Sequence, residues 1–372
     1  MKIKAGREKL LSAFQTTAAV APARSPKSIL QNIKLEVTDS EVTLIATDME
    51  VGIRLEVPGI EVKQSGTVML PAGQFGAILR ESTDEFLNIE SSESGTTVYG
   101  DRSKFNLPSE NPEEFPDVAL FEEKKYHEVP ALLLRELVRR TVFATDVEST
   151  RYALGGVMLE MEENKVTAVG TDGRRLAKME GPALAVGGHQ TVEAQTIVPT
   201  RTMQLLERAI SATDAEIQIA ARTNDILVKS QRATIYSRLV EGRYPKWRDV
   251  IPTWSDGQTI ELRAGPMLSA LRQASIVSRD DSRGIDFTFT EGALVLSGST
   301  ADVGDARVEM PITYTGPSIT ITLDHRYVAD FLKVLDPEKN IKFQMRDAES
   351  ATYSMTDDGY GYVVMPLAKD RA

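Results

Sequence analysis

The chain has 372 residues, 41% of them hydrophobic, no cysteine and a formal net charge of −11. The absence of cysteine rules out disulfides and thiolate metal sites, and no apolar run approaches the roughly 20 residues of a membrane span. An acidic balance excludes nucleic-acid binding through evenly spread charge, and the length exceeds one comfortable hydrophobic core.

Taken from the N-terminus, the first element is a helix over "REKLLSAFQTT" from Arg7. Lys2, Lys4, Arg7 and Lys9 ahead of "LLSAF" imitate a secretion signal, but the apolar run is short and is broken at Gln15-Thr16-Thr17. A structural helix in a cytoplasmic protein is the expectation. An alternating run follows, "VTLIATDMEVGIRLEV" from Val42, and then a second amphipathic helix, "LPAGQFGAILRES" from Leu70, with Phe75, Ile78 and Leu79 on one face.

The same order then returns. "PALLLRELVRRTVFA" from Pro130 repeats the first helix, "KVTAVGTDGRRLAKME" from Lys165 the alternating run, and "VPTRTMQLLERAI" from Val198 the second helix, with Met203, Leu206 and Ile210 inward. It returns once more as "PMLSALRQASIVS" from Pro266, "ALVLSGSTADVGDARVEM" from Ala293 and "LDHRYVADFLKVL" from Leu323, with Val328, Phe331, Leu332 and Leu335 inward. Pro130 and Pro266 fall where proline is tolerated, at the first helical turn. The Thr-Asp pairs at 47–48 and 171–172 lie 124 residues apart. Three repeats of two helices among many short strands predict an α+β array with domains 1-125, 126-254 and 255-372.

Charge is distributed unevenly. The six helices, counting Arg279 with the fifth, sum to +8, which leaves −19 for the remainder. A basic helical face on an acidic body is one reading; Lys and Arg on ordinary solvated helix faces is the other. The three histidines, His127, His189 and His325, stand apart in sequence without a metal-ligand spacing, and Asp280-Asp281 reads as a solvated turn. No cofactor, metal or catalytic constellation is expected. Three functional classes stay open on the residues alone: a protein that meets nucleic acid through a basic helical face, a three-repeat protein-interaction scaffold that never touches DNA, and a metal-dependent enzyme favoured only by the many acids.

Further runs are more specific: "TDMEV" at 47–51, "RSKFNLPSENPEEFP" at 102–116, "RYALGGVMLE" at 151–160, "VGTDGRRLA" from Val169, "LVEGRYPKWRDVIP" from Leu239 and "GYVVMPL" from Gly361. In this order over the whole length, the chain resembles the bacterial DNA polymerase III beta subunits, the sliding clamps. The resemblance implies three DNA-clamp domains, each two helices packed on two antiparallel sheets. It also implies a head-to-tail homodimer closed into a six-domain ring around duplex DNA. It further implies a non-catalytic processivity factor, with the clamp loader, the replicative polymerase and other clamp-binding-motif proteins as partners, and no membrane.

Carried over residue by residue, the DNA-facing set is Arg24, Arg80, Tyr152 and Arg201, to which charge and position add Arg139 and Arg140. The partner-peptide pocket is Leu154, Thr171, Gly173, Arg175, Leu176, Pro245, Val250, Tyr327, Val363, Val364, Met365, Pro366 and Leu367. The ring contact sets Phe105 and Leu107 of one copy against Ile276 and Val277 of the other, with Arg102 and Lys104 facing acids such as Asp302 and Asp305. Ser282 and Asp249 replace the family's usual phenylalanine and basic residue, and the chain continues past Leu367 as "AKDRA". These departures predict a wider, less basic groove partly covered by the tail.

Overall fold

The computed structural model describes residues 1–92, 95–148, 152–191, 195–211, 213–254, 256–279 and 282–368, the side chain of Tyr152 excepted. The six expected helices form: α1 Arg7–Ala18, α2 Ala72–Glu81, α3 Ala131–Thr141, α4 Thr200–Ala209, α5 Ala264–Ala274 and α6 His325–Lys333. Each follows a strand directly, and the apolar positions read from the sequence are buried: Phe75 and Leu79 on α2, Met203 and Leu206 on α4, Phe331 and Leu332 on α6. Helices α1 and α2 meet through Phe14 and Phe75, edge to face at 5.0 Å. Arg7 donates to the carbonyls of Leu79 and Asp84, satisfying the C-terminal end of α2 with a cation.

The chain condenses into two compact units: Met1–Arg135 with Met161–Asn164 and Ala183–Leu239, and Glu136–Glu160 with Lys165–Pro182 and Val240–Ala372. The first holds a five-stranded sheet in the order Glu61–Gln64, Lys2–Gly6, Phe86–Ser92, Gly95–Tyr99, Lys104–Leu107. It also holds a nine-stranded sheet in which Val51–Glu56 pairs antiparallel with Ala233–Arg238. In the second unit, Arg175–Pro182 pairs antiparallel with Tyr360–Val364, and Thr352–Met355, Asn340–Met345 and Gln258–Arg263 follow in that sheet. A four-stranded sheet runs Gly304–Pro311, Ala293–Thr300, Gly284–Thr290, Ile319–Asp324.

The division into units therefore passes through the central repeat. Two strand pairings bridge successive repeats, Val51–Glu56 with Ala233–Arg238 and Arg175–Pro182 with Tyr360–Val364, and hydrogen-bonded ladders hold tighter than loop junctions. The helix-charge tally also changes. Helix α5 ends at Ala274, and Arg279 lies beyond the following short 3₁₀ turn, bridged to Ser282.

The histidines correct a second expectation. His127 and His189, 62 positions apart, bring their Nδ1 atoms to 2.6 Å, and each Nε2 faces a backbone carbonyl, of Glu162 and Ala221. Burial pushes the His127 ring towards its neutral form. Among the described residues no third metal-ligating side chain joins them.

Candidate functional site

The second unit carries a cleft of about 750 Å³, within the range of ligand pockets. It is built on the turn between strands Lys165–Thr171 and Arg175–Pro182. Thr171 Oγ1 donates to the Arg175 carbonyl at 2.6 Å and accepts from the Gly173 amide, while Asp172 Oδ1 accepts from the amides of Arg174 and Arg175. Gly173 takes φ +88° at the apex, the left-handed conformation that glycine adopts without a Cβ penalty. The first repeat makes the same turn with Met49 at φ 79°, the one described non-glycine residue in that region.

Arg175 leaves this turn as a strut. Its guanidinium meets Asp172 at 3.0 Å, Asp330 at 2.9 Å and the Phe143 carbonyl at 2.7 Å, and lies 4.5 Å over the Tyr327 ring. Burial opposes its charge, but Tyr362 and the two carboxylates more than compensate and raise its pKa. The side chain is therefore a fixed wall of the cleft. Tyr362 donates to the Tyr327 carbonyl at 2.9 Å and stacks on Phe331, which ties α6 to the same wall.

Leu154, Leu176 and Val363 form a buried aliphatic floor, while Met365 and Val250 stand exposed at the rim, both at 43%. The Met365 amide donates to the Arg174 carbonyl, so the chain continues the strand pairing past Val364. An apolar floor with a flexible methionine beside a strand end suits an extended or turned peptide.

Of the expected pocket residues, Leu154, Thr171, Gly173, Arg175, Leu176, Pro245, Val250, Val363 and Met365 line this cleft. Tyr327, Val364, Pro366 and Leu367 do not; Tyr327 lies behind Arg175, and Leu367 is held by the Thr322 carbonyl. The sequence reading missed Ala153, Arg174, Arg243, Tyr244 and Lys246. Tyr244 is the anchor of its segment, buried with its hydroxyl on the Val169 carbonyl at 2.8 Å, and the parallel of Phe115-Pro116 with Tyr244-Pro245 was the available signal. Asp249 is not in the lining, whereas Arg174, Arg243 and Lys246 are. Tail residues 369–372 lie outside the described set.

The basic residues separate into two kinds. Arg24 and Arg80 are exposed and make no ion pair among the described residues. Arg139 is exposed but bonded to Glu136 at 2.8 Å. Arg201 is exposed yet engaged, meeting Asp48 and the carbonyls of Ala19 and Val20. Arg140 contradicts its assignment outright: it is buried, its Nε on Glu136 and its NH1 on Asp358 at 2.9 Å, with the guanidinium over the Tyr360 ring. Helix α3 turns it inward because its partners lie one turn earlier on the helix and in a distant strand turn. The Tyr152 side chain lies outside the described residues.

Repeated domains of two helices and antiparallel sheets, joined by ladders that cross from repeat to repeat, define the architecture of a DNA clamp. Family models of the DNA polymerase III beta subunit match residues 1–119 (N-terminal domain), 128–246 (central domain) and 248–368 (C-terminal domain), and the chain belongs to that family. The beta sliding clamp of Escherichia coli K12 is 27% identical over 372 residues, covering 99% of this chain and 100% of that one. The clamp of Haemophilus influenzae is 26% identical over 371 residues, covering 99% and 100%. A DnaN sliding clamp from Pseudomonas aeruginosa, solved bound to griselimycin, superposes with a TM-score of 0.90 at 27% identity, over 99% of this chain and 100% of that chain.

Proposed function

We propose that two copies of this chain close head to tail into a six-domain ring around duplex DNA, acting as a sliding clamp that tethers the replicative polymerase and other replication and repair proteins through the cleft of the second unit. The clamp loader is placed among those partners, the cytoplasm is the site of action, and domain limits of 1-125, 126-254 and 255-372 are part of the same reading. The scaffold alternative is not favoured by the family.

The observation that carries the ring is a pair of unpaired sheet edges. Strand Lys104–Leu107 ends the five-stranded sheet and strand Gly304–Pro311 ends the four-stranded one, each with one side of its backbone unpaired among the described residues. Phe105 is exposed on the first edge, and Ile276 is 75% exposed on the 3₁₀ turn after α5, with Val277 half-buried beside it and Leu107 half-buried on the edge strand. Lys104 and Arg102 accompany the first edge, while Asp302 and Asp305 accompany the second. Strand addition with a small apolar centre and a complementary charged rim makes a contact that is stable and still openable.

A ring changes what DNA contact must achieve. Binding by phosphate contacts alone weakens steeply with salt, whereas a closed ring leaves only by opening. Arg24 and Arg80 need only weak, mobile contacts, without base readout that would pin the protein to a sequence. The partner cleft then raises the local concentration of whatever it holds.

The test is native mass by light scattering over a dilution series. The expected mass is twice 40.9 kDa, persisting on dilution, with Ile276→Asp shifting it towards one chain. A single-chain mass for the wild type throughout the micromolar range would defeat the ring.

A further inference from the structure

The first unit contains a second cleft, none of whose lining residues belongs to the DNA-facing or partner-peptide sets named above. It holds about 480 Å³ between α1, α4, the end of strand Val51–Glu56 and the turn before Ala233–Arg238. Lys9, Arg208 and Arg232 converge on it, and Glu56 is the only carboxylate among its described lining residues. None of the three cations makes an ion pair among the described residues. Burial, reinforced by the charge of Glu41 and only partly offset by Lys229 and Arg232, raises the Glu56 pKa.

The internal repeat supplies a control. By the 124-residue offset, Thr16 of this cleft corresponds to Arg140 and Glu56 to Glu180, and the turn that holds Arg232 corresponds to the turn at Asp357-Asp358. There the cations are answered from within the chain. Asp358 takes Arg140 at 2.9 Å and Lys339 at 3.3 Å, Asp357 also takes Lys339, and Glu180 takes Lys178 at 2.8 Å. The first unit has Arg232 where the second has its acids and Thr16 where it has Arg140, so the same place in the fold gathers cations without the carboxylates that answer them in the second unit.

We infer that this cleft binds a small polyphosphate-bearing ligand of nucleotide size. Two guanidiniums and an ammonium suit phosphate oxygens, which accept the planar forked donors of arginine better than a single carboxylate does. The hydroxyl of Ser12 adds a neutral donor, while those of Thr16 and Ser211 are engaged by the Ser12 carbonyl and by Thr213. Ala13, Leu55, Val57 and Pro58 add an apolar floor on which a sugar or base rests. The volume is in the range of small-molecule sites.

Calorimetric titration of the full chain at low salt tests this, with inorganic tripolyphosphate, ATP and adenosine as probes. Saturable binding of ATP at one site per chain is expected, tighter than tripolyphosphate, with adenosine silent. Arg208→Glu combined with Arg232→Glu is expected to weaken ATP about tenfold or more, from loss of two charge-assisted contacts. Lys342→Glu, exposed in the second unit, leaves it unchanged, and a thermal scan confirms that each variant folds. ATP bound equally by the double variant, or equally weakened by Lys342→Glu, overturns the site. ATP no tighter than tripolyphosphate overturns the nucleotide assignment, and no saturable binding overturns both.

Discussion

Arg140 separates a structural cation from a DNA-facing one, and its replacement makes the sharpest experiment. Its side chain is 10% exposed, while those of its partners Glu136 and Asp358 are each 33% exposed. Removing one member of a fully buried pair costs about 3–5 kcal/mol, because the other charge is stranded. Here water reaches both carboxylates, so Arg140→Ala is expected to cost about 2–3 kcal/mol, the contact over Tyr360 included. Both tryptophans of the chain, Trp247 and Trp254, lie in the second unit, so their fluorescence in a urea titration reports the unit that holds the pair. A lower midpoint with unchanged slope is the expected signature. Acid should erase the difference. Although burial opposes it, hydrogen bonds from Thr356 and Arg140 hold the Asp358 carboxyl down to about 2, from an ordinary 3.8. A depressed carboxyl stabilises the fold fully above its unfolded value and loses that contribution as pH falls through its folded one, so the gap between wild type and variant narrows from pH 4 to pH 2. Retention on circular DNA should survive Arg140→Ala and fall when Arg24 and Arg80 are both reversed to Glu. A variant as stable as wild type that no longer stays on DNA would refute the structural role.

Two further outcomes follow from the clefts and turns. Met365→Ser with Val250→Ser removes the exposed apolar rim and should weaken a polymerase-derived peptide about tenfold or more by fluorescence anisotropy, with little change in melting, since each exposed side chain gives up about 1 kcal/mol of apolar contact. Met49→Gly relieves a left-handed backbone and should raise stability by about 0.5–1 kcal/mol in denaturant unfolding; a loss of stability would show that the Met49 side chain makes compensating contacts.

The repeats, the six helices and their inward faces were legible because amphipathic periodicity is local. Phe75, Met203 and Phe331 announce themselves within a few residues of their own helices. The fate of a charge is not local. Arg140 reads as a basic helix residue until Asp358, 218 positions away, arrives beside it, and Arg201 reads as free until Asp48 and two carbonyls take it. The histidine pair hid for the same reason. The lining of the cleft was legible along the Thr171 turn and at Val363 and Met365, where motif and backbone coincide. It was under-read at Arg243, Tyr244 and Lys246, which enter from a segment without periodicity.

The unpaired edges carry a liability as well as a use. An exposed strand accepts any extended chain, so in the proposed ring the moment of opening would also be the moment at which misassembly threatens. Strand Gly304–Pro311 places Asp305, Arg307 and Glu309 at alternate exposed positions, and Lys104 opens the opposing strand. Charge at this spacing penalises a mismatched register and an uncharged intruder alike. The same side chains that would help two copies find each other would then also act as gatekeepers while they are apart.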